Sequence, residues 1–418
     1  MNIRTNNLFC LLTMIAVLGL MLAGRVSAQT FTILHSFTGG KDGTSPPGGL
    51  ILSGNTLYGT ASAGGSAGNG SVFAVNTDGI GFTNLHSFTA NSGSIATNRH
   101  GGSPQAGLIL SGDGLAGPQA GLILSGNTLY GTAHKGGSSG MGMAFAIKTD
   151  GTCFTNLHSF TLSDGAEPQA RLISSGNTLY GTAHIGGRWG KGTVFAGNTD
   201  GTGFTNLHSF TGGKDGAIPQ AGLILSGNII YGTASYGGER SGAGTVFALN
   251  TSGTGFKTLH SFDGRGGAWP ETGLILSGNV LYGTAFYGGV SGGDSNDGII
   301  FKLNTDGSGF TNLYSFTTFN HASPYTNSDG ARPRAELILS GSTLYGTTTR
   351  GGSSGSGTVF ALKTDGTGFI NLYSFAGGKD GASPQGGLIL SGDTLYGTTQ
   401  LGDSKGYGTV FSLSLPAP

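Results

Sequence analysis

Residues 222–262 read GLILSGNIIYGTASYGGERSGAGTVFALNTSGTGFKTLHSF, and this stretch is one copy of a unit that recurs along the chain. It contains four short apolar segments, which are separated by Gly-Asn, a glycine-rich loop and Thr-Ser-Gly. Asn beside Gly tolerates the positive φ of tight hairpins, and β-branched and aromatic residues favour strands. Because no segment shows a sustained 3.6-residue apolar period, each copy is predicted to form four short strands and no helix.

Two markers count the copies, and a fixed period of about fifty residues is typical of repeat architectures. The first marker is LYGT or a near copy, with its tyrosine at Tyr58, Tyr130, Tyr180, Tyr231, Tyr282, Tyr345 and Tyr396. The second is LHSF or LYSF, which begins at Leu34, Leu85, Leu157, Leu207, Leu259, Leu313 and Leu372. Each marker therefore occurs seven times.

The segments at the two ends of the repeat region predict a closed ring. The repeats open with a fourth segment, FTILHSF at 31–37, and end with a third segment, GTVFSLSL at 408–415. In a ring, the N-terminal strand can complete the last blade and so remove the open sheet edge. We therefore predict an all-β fold, a seven-bladed β-propeller of four-stranded blades, with a β-solenoid or an eight-bladed ring as alternatives.

The domain organisation follows from what lies outside the repeats. Residues 1–28 have the pattern of a signal peptide, with Arg4, an apolar run over 8–23 and the small residues Val26-Ser27-Ala28. We predict a single propeller domain over 29–418, with no membrane span in the mature chain. The segment PQAGLILSGDGLAG at 104–117 is repeated at once in 118–131, and we predict that 104–117 forms a looped-out hairpin insert.

Composition narrows the range of partners. The chain has 418 residues, of which 84 are glycine and only 10% are charged, and Lys plus Arg equals Asp plus Glu at 20 each. Nucleic-acid and polybasic membrane binding both need an excess of Lys and Arg, so this balance argues against them. With 24 Phe and 13 Tyr, the chain is also too apolar to be disordered.

The combined pattern LHSF, LILSGNTLYGT and GGxxGxGTVFALNTDGTGF resembles the Gloeo/Verruco (GloVer) tandem repeat of bacterial proteins over about residues 31–415. The resemblance implies an exported or surface protein, often with one of several alternative C-terminal anchors, and brings no established enzymatic activity. This chain stops at Pro416-Ala417-Pro418 without an apolar, basic-terminated tail. We therefore expect free secretion or a periplasmic location, with surface anchoring in doubt.

The polar residues that recur in most repeats are interpreted as structural. A metal site would not exchange His for Tyr freely, yet two of the LHSF histidines are replaced by Tyr314 and Tyr373. The Asp-Gly pairs ahead of five of the first segments are typical of turns. The recurrent residues are His35, His86, His158, His208, His260, Asp42, Asp164, Asp215, Asp329 and Asp380.

Catalytic and cofactor motifs are weak. The four glutamates are each unique to one repeat, and near-identical repeats favour a protein that is not an enzyme. We predict no cofactor and no metal. The segment most similar to a calcium loop contains Asp294, Asn296 and Asp297, but it lacks the bidentate glutamate that ends such loops.

Non-repeated residues provide the candidate binding surface. In a propeller, the loop that enters each blade and the loop between its second and third strands emerge on one face. In the third to fifth blades these loops carry aromatic and charged residues, whereas most other loops carry Gly, Ser and Ala. The alternative explanation is random sequence drift in loops that are under no constraint. The candidate binding residues are Arg188, Trp189, Lys191, Tyr236, Glu239, Arg240, Arg265, Trp269 and Tyr287.

Taken together, these features favour an exported, monomeric, non-enzymatic protein that is secreted, on the cell surface or in the periplasm. Its propeller loops would bind polysaccharide or a cell-envelope protein, because exposed aromatic rings among hydrogen-bonding charges form a binding surface. Two alternatives stay open: a propeller enzyme that acts on polysaccharide as a glycosidase or lyase, and a purely structural surface component.

Overall fold

The computed structural model describes residues 29–88, 98–102, 121–239, 242–289, 297–318, 325–403 and 405–416. These ranges contain strands and turns but no helix, and hence no helix that could span a membrane. The predicted signal peptide at 1–28 and the duplicated segment at 104–117 lie outside the described residues.

Seven antiparallel sheets form the blades of a propeller. The first strand, β1 (Phe31–Ser36), belongs to the last blade. Blade 1 consists of β2 (Ile51–Ser53), β3 (Thr56–Ala61), β4 (Ser71–Asn76) and β5 (Thr83–Ser87). Blade 2 begins with β7 (Ile123–Ser125) and β8 (Thr128–Ala133). Outside this blade, β6 (Asn98–Gly102) pairs with β9 (Lys135–Gly137). Blade 2 is completed by β10 (Met143–Lys148) and β11 (Thr155–Ser159).

Blades 3 to 7 repeat this plan. Blade 3 has β12 (Ile173–Ser175), β13 (Thr178–Ala183), β14 (Thr193–Asn198) and β15 (Thr205–Ser209). Blade 4 has β16 (Ile224–Ser226), β17 (Ile229–Ala234), β18 (Thr245–Asn250) and β19 (Lys257–Ser261). Blade 5 has β20 (Ile275–Ser277), β21 (Val280–Ala285), β22 (Ile299–Asn304) and β23 (Thr311–Ser315). Blade 6 adds the short β24 (Ala331–Pro333) to β25 (Ile338–Ser340), β26 (Thr343–Arg350), β27 (Thr358–Lys363) and β28 (Ile370–Ser374). Blade 7 has β29 (Ile389–Ser391), β30 (Thr394–Thr399), β31 (Thr409–Ser414) and β1.

The N-terminal strand closes the ring. β1 pairs antiparallel with β31, with Phe31 opposite Leu413 and Ser36 opposite Thr409. This pairing confirms the predicted seven-bladed propeller, and the solenoid and eight-bladed alternatives are wrong. Closure gives β31 a partner on both sides, so the last blade has the same four-stranded arrangement as the other blades.

The hydrophobic core is divided among the junctions between neighbouring blades. The described residues form seven buried clusters, one at each junction, and the cluster that contains Phe37 and Leu57 joins blade 7 to blade 1. Close approach explains the invariant glycine of the YGT motif. A Cβ on Gly232 would lie 2.6 Å from Phe247 Cζ, so only glycine lets the phenylalanine ring lie against the neighbouring strand.

The LHSF histidines are structural, as the sequence predicts. His35 stacks on Phe82 with 3.7 Å between ring centroids, and its Nε2 lies 3.3 Å from the Asp42 carboxylate. Tyr314 keeps both contacts, because its ring stacks on Phe369 and its hydroxyl donates to Asp329 at 2.8 Å. Tyrosine can therefore replace histidine at this position without loss of either interaction.

Candidate functional site

The two kinds of loop that carry the candidate residues meet on one face, which we call the loop face. In blade 4 the entry loop pairs with the loop between the second and third strands through Ala217 and Tyr236. In blade 5 the same pairing joins Ala268 to Tyr287. Residues that are distant in sequence are thereby held side by side on this face.

One residue of each described entry loop has a left-handed backbone and stands just before a proline. Trp269 has a φ of 55°, and its N–H donates to the carbonyl of Ala243 in the preceding blade at 2.8 Å. A non-glycine residue in this conformation costs about 1–3 kcal/mol. Because the conformation recurs in six blades, it belongs to the repeat itself. We call these residues the rim residues: Ser45, Glu167, Ile218, Trp269, Arg332 and Ser383.

Three rings meet around the rim residue of blade 5, and we call them the aromatic cluster. The Trp269 ring centroid lies 5.3 Å from that of Tyr236 and 4.9 Å from that of Tyr287, with the Tyr287 ring nearly perpendicular. All three side chains are half-buried. Rings in this arrangement stabilise one another while part of their surface stays available to a ligand.

Arginines from blade 6 pack against the same aromatic surface. The Arg332 guanidinium lies 5.3 Å from the Tyr287 ring centroid, and that of Arg334 lies 4.3 Å from the Phe286 centroid. Arg334 is also paired with Glu271 across the junction of blades 5 and 6, with 2.8 Å between Nη2 and Oε2. Burial raises the pKa of the Glu271 carboxyl, and the Arg334 charge opposes that shift.

The blade 3 candidates lie apart from the aromatic cluster. The Trp189 side chain is 54% exposed, and the Arg188 guanidinium lies over its ring at 5.0 Å from the centroid. Lys191 is exposed as well, and its carbonyl accepts a hydrogen bond from the N–H of Ile218. Among the described residues, no ring contact joins Trp189 to Trp269.

The remaining candidates are peripheral to the aromatic cluster. Glu239 forms an exposed ion pair with Lys214, with 3.2 Å between Nζ and Oε1. Arg265 is exposed, and its carbonyl accepts a hydrogen bond from Gly289. Arg240 lies outside the described residues. The structure therefore brings together three of the nine sequence candidates: Tyr236, Trp269 and Tyr287.

A channel of about 710 Å³ runs along the axis and is lined by residues at the first strands of all seven blades. Arg171 of blade 3 reaches across it to Glu336 of blade 6, with Nε 2.8 Å from Oε2 and Nη2 2.5 Å from Oε1. The Glu336 charge raises the pKa of Arg171. Both long side chains are flanked by glycines of neighbouring blades, so that a Cβ on Gly222 would lie 3.1 Å from Arg171 Cγ. The pair therefore connects nearly opposite blades.

We expect the Arg171–Glu336 pair to be strongly coupled in stability. Arg171→Ala and Glu336→Ala should each lower the free energy of unfolding by about 2 kcal/mol, because each leaves one charge unpaired in the channel. Arg171 is 34% exposed, which keeps the loss below that of a fully buried pair. Urea denaturation of the single and double variants should give a coupling energy of about 1–3 kcal/mol.

The exposed pair Lys214–Glu239, with side chains 83% and 57% exposed, is the control for this measurement. The same double-mutant cycle on that pair should give a coupling below about 0.5 kcal/mol. Equal couplings for the two pairs would contradict a special role for the channel pair.

A buried histidine cluster lies at the loop face of blades 2 and 3. Gln169 bridges its two rings, with Nε2 3.2 Å from His134 Nδ1 and Oε1 2.8 Å from His184 Nδ1. Burial lowers the pKa of both histidines to about 4. Both are therefore neutral at pH 7, and Glu167 beside them is ion-paired with Lys135.

Sequence reasoning missed the channel pair Arg171–Glu336 and the arginines of blade 6, although an alignment of the repeats contains a signal for the channel pair and for Arg334. Aligned on PQAGLILSG, five repeats have glycine where Arg171 and Glu336 stand. The same alignment places Arg334 and Glu271 where most repeats have glutamine. These residues lie next to the first strands and not in the loops that carry the sequence candidates.

No group of three His, Cys, Asp or Glu side chains is placed to hold a metal ion within the part of the chain that the structure describes. Of the calcium-loop candidates, Asp294 and Asn296 lie outside the described residues, whereas Asp297 is buried and its carbonyl accepts the N–H of Arg332 at 2.7 Å.

Comparison with known proteins places the chain by sequence and by fold. A family model described as the Gloeobacter/Verrucomicrobia repeat matches residues 100–292 and 285–417. An oligogalacturonate lyase in complex with manganese is 9% identical, with a TM-score of 0.54 over 92% of this chain and 93% of that chain. A GH74 enzyme from Niastella koreensis is 15% identical, with a TM-score of 0.51 over 82% and 47%. At such identities the likeness concerns the fold alone, and no curated protein sequence matches significantly.

Proposed function

We propose that the chain, which belongs to the Gloeobacter/Verrucomicrobia repeat family, is an exported binding protein whose loop face holds a polysaccharide. Membership of the family confirms the resemblance found in the sequence. Export follows from the signal-peptide pattern of residues 1–28, and secretion or a periplasmic location is part of the proposal.

The aromatic cluster is the observation that carries the proposal. Trp269 occupies a left-handed backbone position and is fixed from both sides by Tyr236 and Tyr287. A half-buried tryptophan at a loop position where other blades carry Ser, Glu or Ile contributes little to a core. Flat rings with a polar edge are the usual anchors of binding surfaces. Sugar rings present flat apolar faces that match such a platform in size.

A binding role also agrees with the ion pairs of Glu336 and Glu271, the two glutamates that line the channel. A glycosidase needs two carboxyl groups that are free to exchange protons or attack the sugar. Both oxygens of Glu336 are occupied by Arg171, and Glu271 is paired with Arg334. These contacts favour a structural use of the glutamates over a catalytic one.

We expect Trp269→Ala to weaken retention on an immobilised polysaccharide at least tenfold, which corresponds to the loss of roughly 1.4 kcal/mol or more. Binding would be measured by affinity electrophoresis and calorimetry with the full chain against a panel of soluble glycans. Trp189→Ala is the matched control, because that tryptophan is exposed on the same face but lies outside the cluster. It should bind as the parent does.

The same experiment separates the alternatives. If the parent binds no glycan but captures a defined envelope protein, the glycan proposal fails. Release of reducing or unsaturated ends from a bound glycan would indicate an enzyme. Equal binding by the parent and by Trp269→Ala would exclude the aromatic cluster as the site.

A further inference from the structure

We infer that the polysaccharide held by the loop face is acidic and that blade 6 recognises its carboxylates. This inference rests on the proposed function and specifies the ligand of the same site. The recognition site is the arginine cluster, which we define as Arg332, Arg334 and Arg350.

The positions of these arginines within the repeat give the first argument. Aligned on the motifs PQA and TAxxGG, Arg332 and Arg350 stand at places where the repeats differ from one another on the loop face, and Arg334 stands where four repeats have glutamine. At the place of Arg350, blades 4 and 5 carry Tyr236 and Tyr287, and blade 1 carries Ala63. Blade 6 thus carries three of the ten arginines of the chain, and two of them stand at the places that Trp269, Tyr236 and Tyr287 occupy in blades 4 and 5.

The contacts give the second argument, because they connect the two clusters into one surface. Tyr287 contacts Trp269 on one side and the Arg332 guanidinium on the other, at 4.9 Å and 5.3 Å between the respective centres. Arg350 lies across the strand pair from Ala331 and over the Tyr325 ring at 5.6 Å. A sugar stacked on Trp269 would have its next residues within reach of these guanidiniums.

The roles of the three arginines differ. Arg334 is almost fully buried and bound to Glu271, so it fixes the cluster from below. Arg332 and Arg350 are half-buried and are the members that a ligand can reach. A guanidinium matches a carboxylate with two parallel hydrogen bonds, and it can stack on an aromatic ring at the same time.

The local electrostatics agree with an anionic ligand. Burial, followed by the charges of Arg332 and Arg334, lowers the pKa of Arg350. Like charges that are held together in this way repel one another. A bound carboxylate would relieve that repulsion, and a neutral sugar would not.

The test compares an alginate oligosaccharide with the same oligosaccharide after reduction of its carboxylates to primary alcohols. We expect the parent protein to bind the acidic form at least tenfold more tightly, with a preference that decreases as salt is raised. In Arg332→Gln and in Arg350→Gln this preference should fall to less than threefold, while binding of the reduced form stays at the parent level. Arg188→Gln, which removes a loop-face arginine outside the cluster, should keep the full preference.

The outcomes separate this inference from the function on which it rests. Equal affinity of the parent for both oligosaccharides overturns the acidic-ligand inference, whereas a loss in Trp269→Ala would still support glycan binding. If neither oligosaccharide binds, the inference that the loop face recognises the carboxylates of uronates fails. The panel of soluble glycans then decides whether the loop face binds a polysaccharide at all. If the glutamine variants bind both forms as the parent does, the arginine cluster is not the recognition site. Thermal melts of each variant establish that the fold is retained.

Discussion

A chain that lacks residues 29–38 is expected not to form a stable closed monomer. The deletion removes β1, and with it Leu34 and Phe37, which are buried at the junction of blades 7 and 1. It also removes Phe31, which stacks on Tyr373 at 4.1 Å between centroids. Each fully buried large side chain contributes about 1.5–3 kcal/mol, so the total loss is of the same order as the ~5–15 kcal/mol stability of a whole domain.

The second consequence of this deletion is an exposed edge. Without β1, the backbone groups of β31 lose their partners from Phe31 to Ser36 along one side. An unpaired edge next to a hydrophobic surface is a template for association between chains. We therefore expect the truncated protein to aggregate or to elute as oligomers in size-exclusion chromatography, and to lose cooperative urea unfolding.

A circular permutant is the matched control for the loss of residues. It joins Leu415 to Gln29 through a Thr-Asp-Gly turn like those of the other blades, and it opens the chain at the exposed Asp200–Gly201 turn. This variant keeps every strand, and its new N-terminal strand β15 completes blade 3 instead of blade 7. It should unfold within about 2 kcal/mol of the parent, since turns tolerate new termini. A truncated chain as stable as the permutant would contradict the closing role of β1.

The fold could be predicted from the sequence because it depends on repetition. Seven copies of one pattern average out the uncertainty of any single strand, and the offset between FTILHSF at the start and GTVFSLSL at the end indicates closure. The common face of the two loop types follows from the same topology. Consequently the contact of Trp269 with Tyr236 and Tyr287 is within reach of sequence reasoning.

The channel pair and the arginine cluster could not be predicted with the same ease. Arg171 and Glu336 are 165 residues apart, and they meet only because blades 3 and 6 lie nearly opposite each other in a ring of seven. Nothing local in either repeat indicates the other residue. Likewise, the left-handed backbone at Trp269 depends on the hydrogen bond that its N–H makes to the preceding blade, which no single repeat contains.

Acidification from pH 7 to pH 4.5 is expected to destabilise the protein, in large part through His134 and His184. Their pKa is about 4 in the folded protein, against an ordinary value of 6.5 in the unfolded chain. Between these values the unfolded chain binds more protons, so the free energy of unfolding falls as the pH falls through this window. At pH 4.5 each histidine should cost roughly 2 kcal/mol relative to pH 7.

Replacement of both histidines by serine tests this assignment. Serine stands at the same place in blades 1 and 4, and in blade 4 the Ser235 hydroxyl accepts a hydrogen bond from Gln220 at 2.8 Å. The double variant should therefore lose about 3–5 kcal/mol less than the parent between pH 7 and 4.5, as measured by urea denaturation.

The other titrating groups do not change the expected difference between the double variant and the parent in the free energy of unfolding lost between pH 7 and 4.5. Burial also lowers the pKa of His35, His158, His208 and His260, which gives the same sign, but these histidines are present in both proteins. Glu167, whose pKa is lowered chiefly by its hydrogen bond to Lys135 against the effect of burial, loses its contribution only at still lower pH. Parallel pH profiles of the two proteins, or imidazole resonances of His134 and His184 that titrate near pH 6.5, would contradict the assignment. The expected divergence follows from the burial of both rings, and protonation of His134 at Nδ1 would in addition remove the acceptor of its hydrogen bond from Gln169.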